Sequence, residues 1–395
     1  MKRKIVKQAL AINVILLGIV SFLNDVSSEM ISPILPLFIT ALGGTGIIVG
    51  LVGGLRDSIT SILKVIFGFF SDKTGKRKVF VFSGYFTSSI FKLLLSFSKT
   101  WQHILTFSSL ERIGKGIRTA PRDAIISESM SKEKGKGFGI HRTLDTSGAI
   151  VGSILALVLF WAFGLNFNSI ILISALLAFS SLIPLYWVRE RKRKRQVITF
   201  SVGIKKLPKP LKNFLLIFSI FTFSKISYMF FILKIQQFFP KNLSVIGPLS
   251  SYILFNIFYA IFAVPFGILS DKIGRKKVLG LGYFLFSLVS FGFAFFKSFY
   301  QLLTLIMLYG ITYAILDGNQ RAFVSDLSPK KLRGTALGAF HSLAGLISLP
   351  SNLIAGILWE ISPSITFLWA SILSIISAIG LFVWAANQKI NLFSP

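Results

Sequence analysis

Gly68-Phe-Phe-Ser-Asp72-Lys-Thr-Gly75-Lys76-Arg77-Lys78 recurs 199 residues later as Gly267-Ile-Leu-Ser-Asp271-Lys-Ile-Gly274-Arg275-Lys276-Lys277. Gly, Ser, Asp, Lys and Gly return in register, and the closing basic cluster only exchanges Lys for Arg. Each copy ends one long apolar run and precedes another. The offset holds further along the chain: Arg122 maps to Arg321, Gly135 to Gly334 and Gly139 to Gly338. A repeat of half the chain length between apolar runs implies two similar membrane-embedded halves.

The runs themselves support this. Of 395 residues 53% are hydrophobic and 14% charged, far too apolar for a soluble domain. Twelve stretches are long enough to cross a bilayer, at 9–38, 46–70, 79–98, 101–122, 137–161, 168–188, 212–238, 246–270, 278–297, 300–324, 335–358 and 365–386. They are too long for barrel strands, and lipid forbids open sheet edges, so the chain is expected to be all-α. The basic run Arg189–Arg195 opens the longest polar connection, broken by Pro208 and Pro210. The expected organisation is a six-helix bundle at 1–188, a basic linker at 189–211 and a second six-helix bundle at 212–395. Six spans per half preserve orientation, making the halves parallel repeats.

The net charge of +29, from 43 Lys and Arg against 14 Asp and Glu, sits at the amino terminus and in alternate loops. That asymmetry predicts cytoplasmic termini and contact with anionic lipid headgroups, and argues against nucleic acid. There is no cysteine, and His103, His141 and His341 lie on different spans without metal-ligand spacing, so no metal site is expected. The chain contains no Gly-x-x-x-x-Gly-Lys-Ser/Thr phosphate loop. An enzyme is not expected, nor a bound cofactor.

Together these features resemble the major facilitator superfamily of secondary transporters. Its signature after the second helix runs Gly-x-x-x-Asp-x-x-Gly-Arg-Lys; here Gly68, Asp72, Gly75, Lys76 and Arg77 match, and again Gly267, Asp271, Gly274, Arg275 and Lys276. Arg112 and Gly116 fit a further motif on helix 4, and Gly114–Asp123 is similar to a stretch in prokaryotic permeases of unassigned substrate. The helix-5 stretch Asp145–Gly152 lacks the proline of drug-antiporter branches. The resemblance implies alternating access, a substrate site between the halves, and helices 1, 4, 7 and 10 innermost. It also implies that Asp72 latches one side shut with a basic helix-4 residue, for which Arg118 is the first candidate and Arg122 the second. Asp271 should do the same less strictly.

Ionisable groups inside a bilayer cost several kcal/mol, about 2.5–3.5 on insertion scales, and need a partner or a wet cavity. Asp25, Glu29, Asp57 and Asp145 are the candidates for coupling transport to protons, since a buried carboxylate can hold a proton near neutral pH. Asn24, Lys64, Glu111, Arg112, Lys225 and Asp317 are the candidates for the substrate cavity. Bland readings stand beside these: Glu111 with Lys115 as an i,i+4 pair, Arg56 with Asp57 as a local pair, and Lys92 of span 3 snorkelling to the interface. Arg112 and Lys225 lie at similar depth, and an anion between them is either a substrate group or a protein carboxylate such as Asp25 or Glu111.

The reading is a monomeric secondary transporter of the prokaryotic inner membrane, exporting a small organic compound against protons. One alternative is an anion transporter using Arg112, Lys64 and Lys225. The other is a non-transporting receptor or scaffold.

Overall fold

A computed structural model describes residues 2–130, 134–190, 207–329 and 332–390, and all regular structure among them is helical. Most of the basic linker expected at 189–211 lies outside the described residues. The first six spans are α1 (Lys2–Ile31, continued by Leu35–Ala41), α2 (Gly46–Thr74), α3 (Arg77–Leu95), α4 (Trp101–Ser129), α5 (Lys134–Trp161) and α6 (Phe167–Ser180). The second six are α7 (Lys209–Ser224 and Tyr228–Gln236), α8 (Ile246–Ile273), α9 (Arg275–Phe295), α10 (Phe299–Asp326), α11 (Arg333–Ile361) and α12 (Pro363–Ile390).

Among the described residues 11 helices are long and apolar enough to cross a membrane. The twelfth, α4, is excluded by composition, because Glu111, Arg112, Lys115, Arg118, Arg122 and Asp123 crowd its 29 residues. Its charges are answered by neighbouring helices, as the next section describes.

Two compact units form, Met1–Gly44 with Leu55–Phe200, and Thr45–Gly54 with Ser201–Pro395. The division follows the repeat except that the first turns of α2 group with the second unit. Gly46 at the start of α2 donates its backbone N–H to Glu360 of α11 at 2.5 Å.

Two spans expected to be continuous are interrupted. In α1 the break after Ile31 coincides with Pro33, and Pro36 opens the short piece that follows. In α7 the break falls at Lys225–Ser227, with no proline or glycine. Side chains of α11 satisfy the freed backbone groups: Asn352 Oδ1 accepts the Ser227 N–H at 2.6 Å, and Ser351 Oγ donates to the Phe223 carbonyl at 2.8 Å. The Ser227 hydroxyl then caps the second piece by accepting the Met229 N–H at 3.3 Å. In hydrocarbon such substitution is what permits a helix to open.

Candidate functional site

The repeated phrase makes the same turn twice. Gly75 and Gly274 adopt φ of +70° and +96°, conformations that L side chains avoid, and each separates two spans. Arg77 then folds back. Its guanidinium pairs with Asp72 at 2.5 Å and with Glu128 at the end of α4. In the second copy Arg275 pairs with Asp271 at 2.9 Å and with Asp326 at the end of α10. Lys76 stands between Gly75 and α3, and Gly68 lies against Ala120 of α4.

The partner of Asp72 is therefore Arg77 of its own phrase, not Arg118 or Arg122. Arg118 is buried, donates to Ser88 Oγ at 2.6 Å and lies over the Tyr85 ring at 4.4 Å. Arg122 pairs with Asp123 and donates to Ser21 Oγ at 3.1 Å. The first copy has one more brace: Glu190 accepts the backbone N–H groups of Arg77 and Lys78, an acid on the open N-terminus of α3. Glu128, Glu190 and Asp326 were missed in the sequence. They lie outside the phrase, and Asp326 sits one residue off the repeat offset from Glu128, so register alone did not connect them.

Asp25 of α1 and Asp145 of α5 are brought together. Gly148 and Gly152 let α5 approach so closely that a Cβ on either would strike the Phe22 or Val26 carbonyl of α1. Asp25 lies between those two turns, and its carboxyl hydrogen-bonds with that of Asp145. Asp145 also accepts from Ser21 Oγ at 2.7 Å and pairs with Arg142 at 3.3 Å. Ser21, the missed member, links Asp145 to Arg122. The other two coupling candidates stand apart from this group: Glu29 is half-buried further along α1, and Asp57 is exposed on α2 rather than buried.

Glu111 joins two other candidates. Its Oε2 lies 3.1 Å from Arg112 Nε and 3.7 Å from Arg56 Nη1, and all three side chains are buried or nearly so. Arg56 thus pairs across to α4 rather than with Asp57, and Glu111 pairs with two arginines rather than with Lys115. The anion beside Arg112 is a protein carboxylate. Lys92 does not snorkel outward. It is 1% exposed, and its ammonium donates to Ser27 Oγ at 2.8 Å, Ser28 Oγ at 2.9 Å and the Asn24 carbonyl at 3.5 Å. Asn24 presents its backbone to this cluster, while its buried Oδ1 has no hydrogen-bond partner. Lys64 is half-buried on α2.

In the second unit Lys225 closes the first piece of α7 and places its ammonium over the Tyr313 ring of α10, 4.9 Å from the centroid. Asp317, one turn on from Tyr313, pairs with Arg321 at 2.8 Å and accepts from Tyr259 at 3.1 Å. Lys225, Tyr313, Asp317 and Gln320 border a cavity of about 320 Å³ counted out to its mouth. Among the described residues no cluster of His, Asp and Glu is arranged to hold a metal ion.

Two units carrying the same Asp–Arg–acid turn, with charges gathered on the inward spans, define a secondary transporter. The Major Facilitator Superfamily model matches residues 17–255 and 214–391, and the chain belongs to that family. An uncharacterized MFS-type transporter of Methanocaldococcus jannaschii is 58% identical over 371 residues, covering 93% of each chain. The multidrug resistance protein MdtH of Blochmanniella floridana is 25% identical, covering 78% of this chain and 76% of its own. Among solved structures, a variant of the nucleoside transporter NupG superposes with a TM-score of 0.81 at 15% identity, covering 94% of this chain and 99% of its own. The chain is accordingly an integral membrane transporter and not an enzyme, and the receptor or scaffold reading falls.

Proposed function

We propose that this transporter couples export of a small organic compound to the inward movement of protons by alternating access, with both termini cytoplasmic. The observation that carries the reading is the Asp25–Asp145 contact. Two carboxyl groups that hydrogen-bond to each other hold a proton between them, because a carboxylate pair has no other donor. Losing that proton leaves two like charges in contact. Separation of α1 from α5 relieves the repulsion, so protonation and helix movement are linked. Arg122 and Arg142 supply a counter-charge when the pair is ionised. The multidrug resistance proteins among the relatives support export as the direction and an organic compound as the cargo.

The test uses the full-length protein in liposomes, with ethidium and benzoate as probe solutes and an imposed pH gradient. Asp25→Asn and Asp145→Asn should abolish gradient-driven accumulation while sparing exchange without a gradient. Gradient-driven accumulation at the unmutated rate in both variants removes the pair from the mechanism.

The anion alternative loses Arg112, which Glu111 already neutralises with Arg56. It keeps Lys225.

A further inference from the structure

We propose that the second unit carries a seat for a single-ring aromatic carboxylate on the wall formed by α7, α9 and α10. The inference rests on the reading of the chain as a transporter of small organic compounds and names the class of compound.

The seat begins with the break in α7. Ending the helix at Ser224 leaves Lys225 exposed at the lip of the cavity instead of turned into the next helical turn. Its ammonium lies on the face of Tyr313, which holds the charge in place without cancelling it. The one carboxylate on this wall, Asp317, is engaged by Arg321 and the Tyr259 hydroxyl. Lys225 and Arg321 against Asp317 leave the wall one positive charge in excess. An anionic group is attracted there, and an ammonium is repelled.

The rest of the lining is aromatic and fixed before any ligand arrives. Phe221 is stacked on Tyr283 with centroids 3.9 Å apart and meets Phe286 edge-on at 5.6 Å. Tyr313 stands edge-on to Phe255 at 5.3 Å. Gln320 donates to the Tyr283 hydroxyl at 3.3 Å, so its amide is also held. Rings clamped by other rings lose little freedom when a further ring is laid against them, and preorganisation of this kind favours binding. The cavity of about 320 Å³ is at the lower end of small-molecule sites, which suits one ring and its acid group.

The experiment measures binding of four probes to the purified full-length protein by calorimetry and thermal stabilisation. Benzoate carries ring and acid, cyclohexanecarboxylate the acid alone, benzyl alcohol the ring alone, and benzylamine the ring with the opposite charge. Benzoate should bind about tenfold tighter than each of the others, the ratio expected when one stacked ring or one charge contact is removed. Lys225→Gln and Tyr313→Leu should each weaken benzoate about tenfold, and Lys225→Arg should retain it. Because Lys225 is exposed, unliganded Lys225→Gln should unfold at the unmutated temperature, which separates loss of binding from loss of fold. Equal binding of benzylamine or cyclohexanecarboxylate overturns the proposal, as does undiminished benzoate binding in Lys225→Gln. If benzoate binds in the expected order but labelled benzoate never crosses liposomes, the seat stands and the transport reading fails. If no aromatic acid binds while ethidium is still exported, the seat fails and the transport reading stands.

Discussion

The two units share one fold and one turn motif but fill their interiors differently. Among the described residues the fully buried charged or titratable side chains, Arg56, Arg77, Lys92, Glu111, Arg118 and His141, all belong to the first unit. The second unit is held by rings instead. Phe231 alone meets Phe286, Phe293, Tyr309 and Phe367 at centroid distances between 4.1 and 6.3 Å. A buried charge is expensive unless it is paired, and it changes its preferred partner when a proton arrives. A ring contact is indifferent to protons. The difference teaches that a coupling device belongs in the first unit and a rigid, ring-recognising wall in the second.

The largest effect that can break this comparison comes from Glu111. Glu111→Gln leaves Arg56 and Arg112 buried against a neutral amide. Removal of one partner from a buried ionic group typically costs about 3–5 kcal/mol. Thermal unfolding in detergent should show a large drop, recovered in part by Arg56→Met in the same chain. A variant as stable as the parent means that water, not Glu111, satisfies the arginines.

Lys92 comes next. Lys92→Ala deletes a fully buried side chain and three donated hydrogen bonds, at a cost of about 2–4 kcal/mol. Lys92→Met refills the space without a charge and should recover most of that loss, since apolar replacement of a buried charge is often neutral. If Met is as damaging as Ala, the ammonium itself is required. The corresponding probe of the second unit is Tyr283→Leu, which removes the stacked contact with Phe221. It should cost about 1–3 kcal/mol and leave coupling ratios in flux assays unchanged.

The smallest effects compare the two copies of the phrase. Asp72 pairs with an arginine that is only 7% exposed and is braced by Glu128, with Glu190 on the adjoining backbone, whereas Asp271 is 65% exposed and pairs with a more open Arg275. Asp72→Asn should therefore slow transport strongly at near-normal expression. Asp271→Asn should change stability by no more than about 0.5 kcal/mol and transport only mildly. Equal rates in both variants, measured in liposomes, reduce the phrase to a topological turn.

Much of this was legible in the chain. Span length, the positive loops and the 199-residue offset determine twelve helices in two parallel repeats, because only a helix satisfies its own backbone in hydrocarbon and because orientation follows loop charge. The glycines after each Asp determine the turns, since Gly75 and Gly274 occupy conformations open to few other residues. Partners were not legible. Arg118, Arg122 and Arg77 all stood within plausible reach of Asp72, and only the packing of α3 on α4 turned Arg118 onto Tyr85 and left Asp72 to Arg77. Asp25 and Asp145 are 120 residues apart with no periodic relation; the small residues Gly148 and Gly152 set how closely their helices meet, and that distance creates the pair. The opening of α7 had no local signal either, because Asn352 and Ser351, more than a hundred residues away, supply the hydrogen bonds that replace the helical ones. Periodicity and charge are local sums that a sequence carries by itself. Which charge meets which depends on interhelical distances, and those are set by side chains from all the helices that pack together.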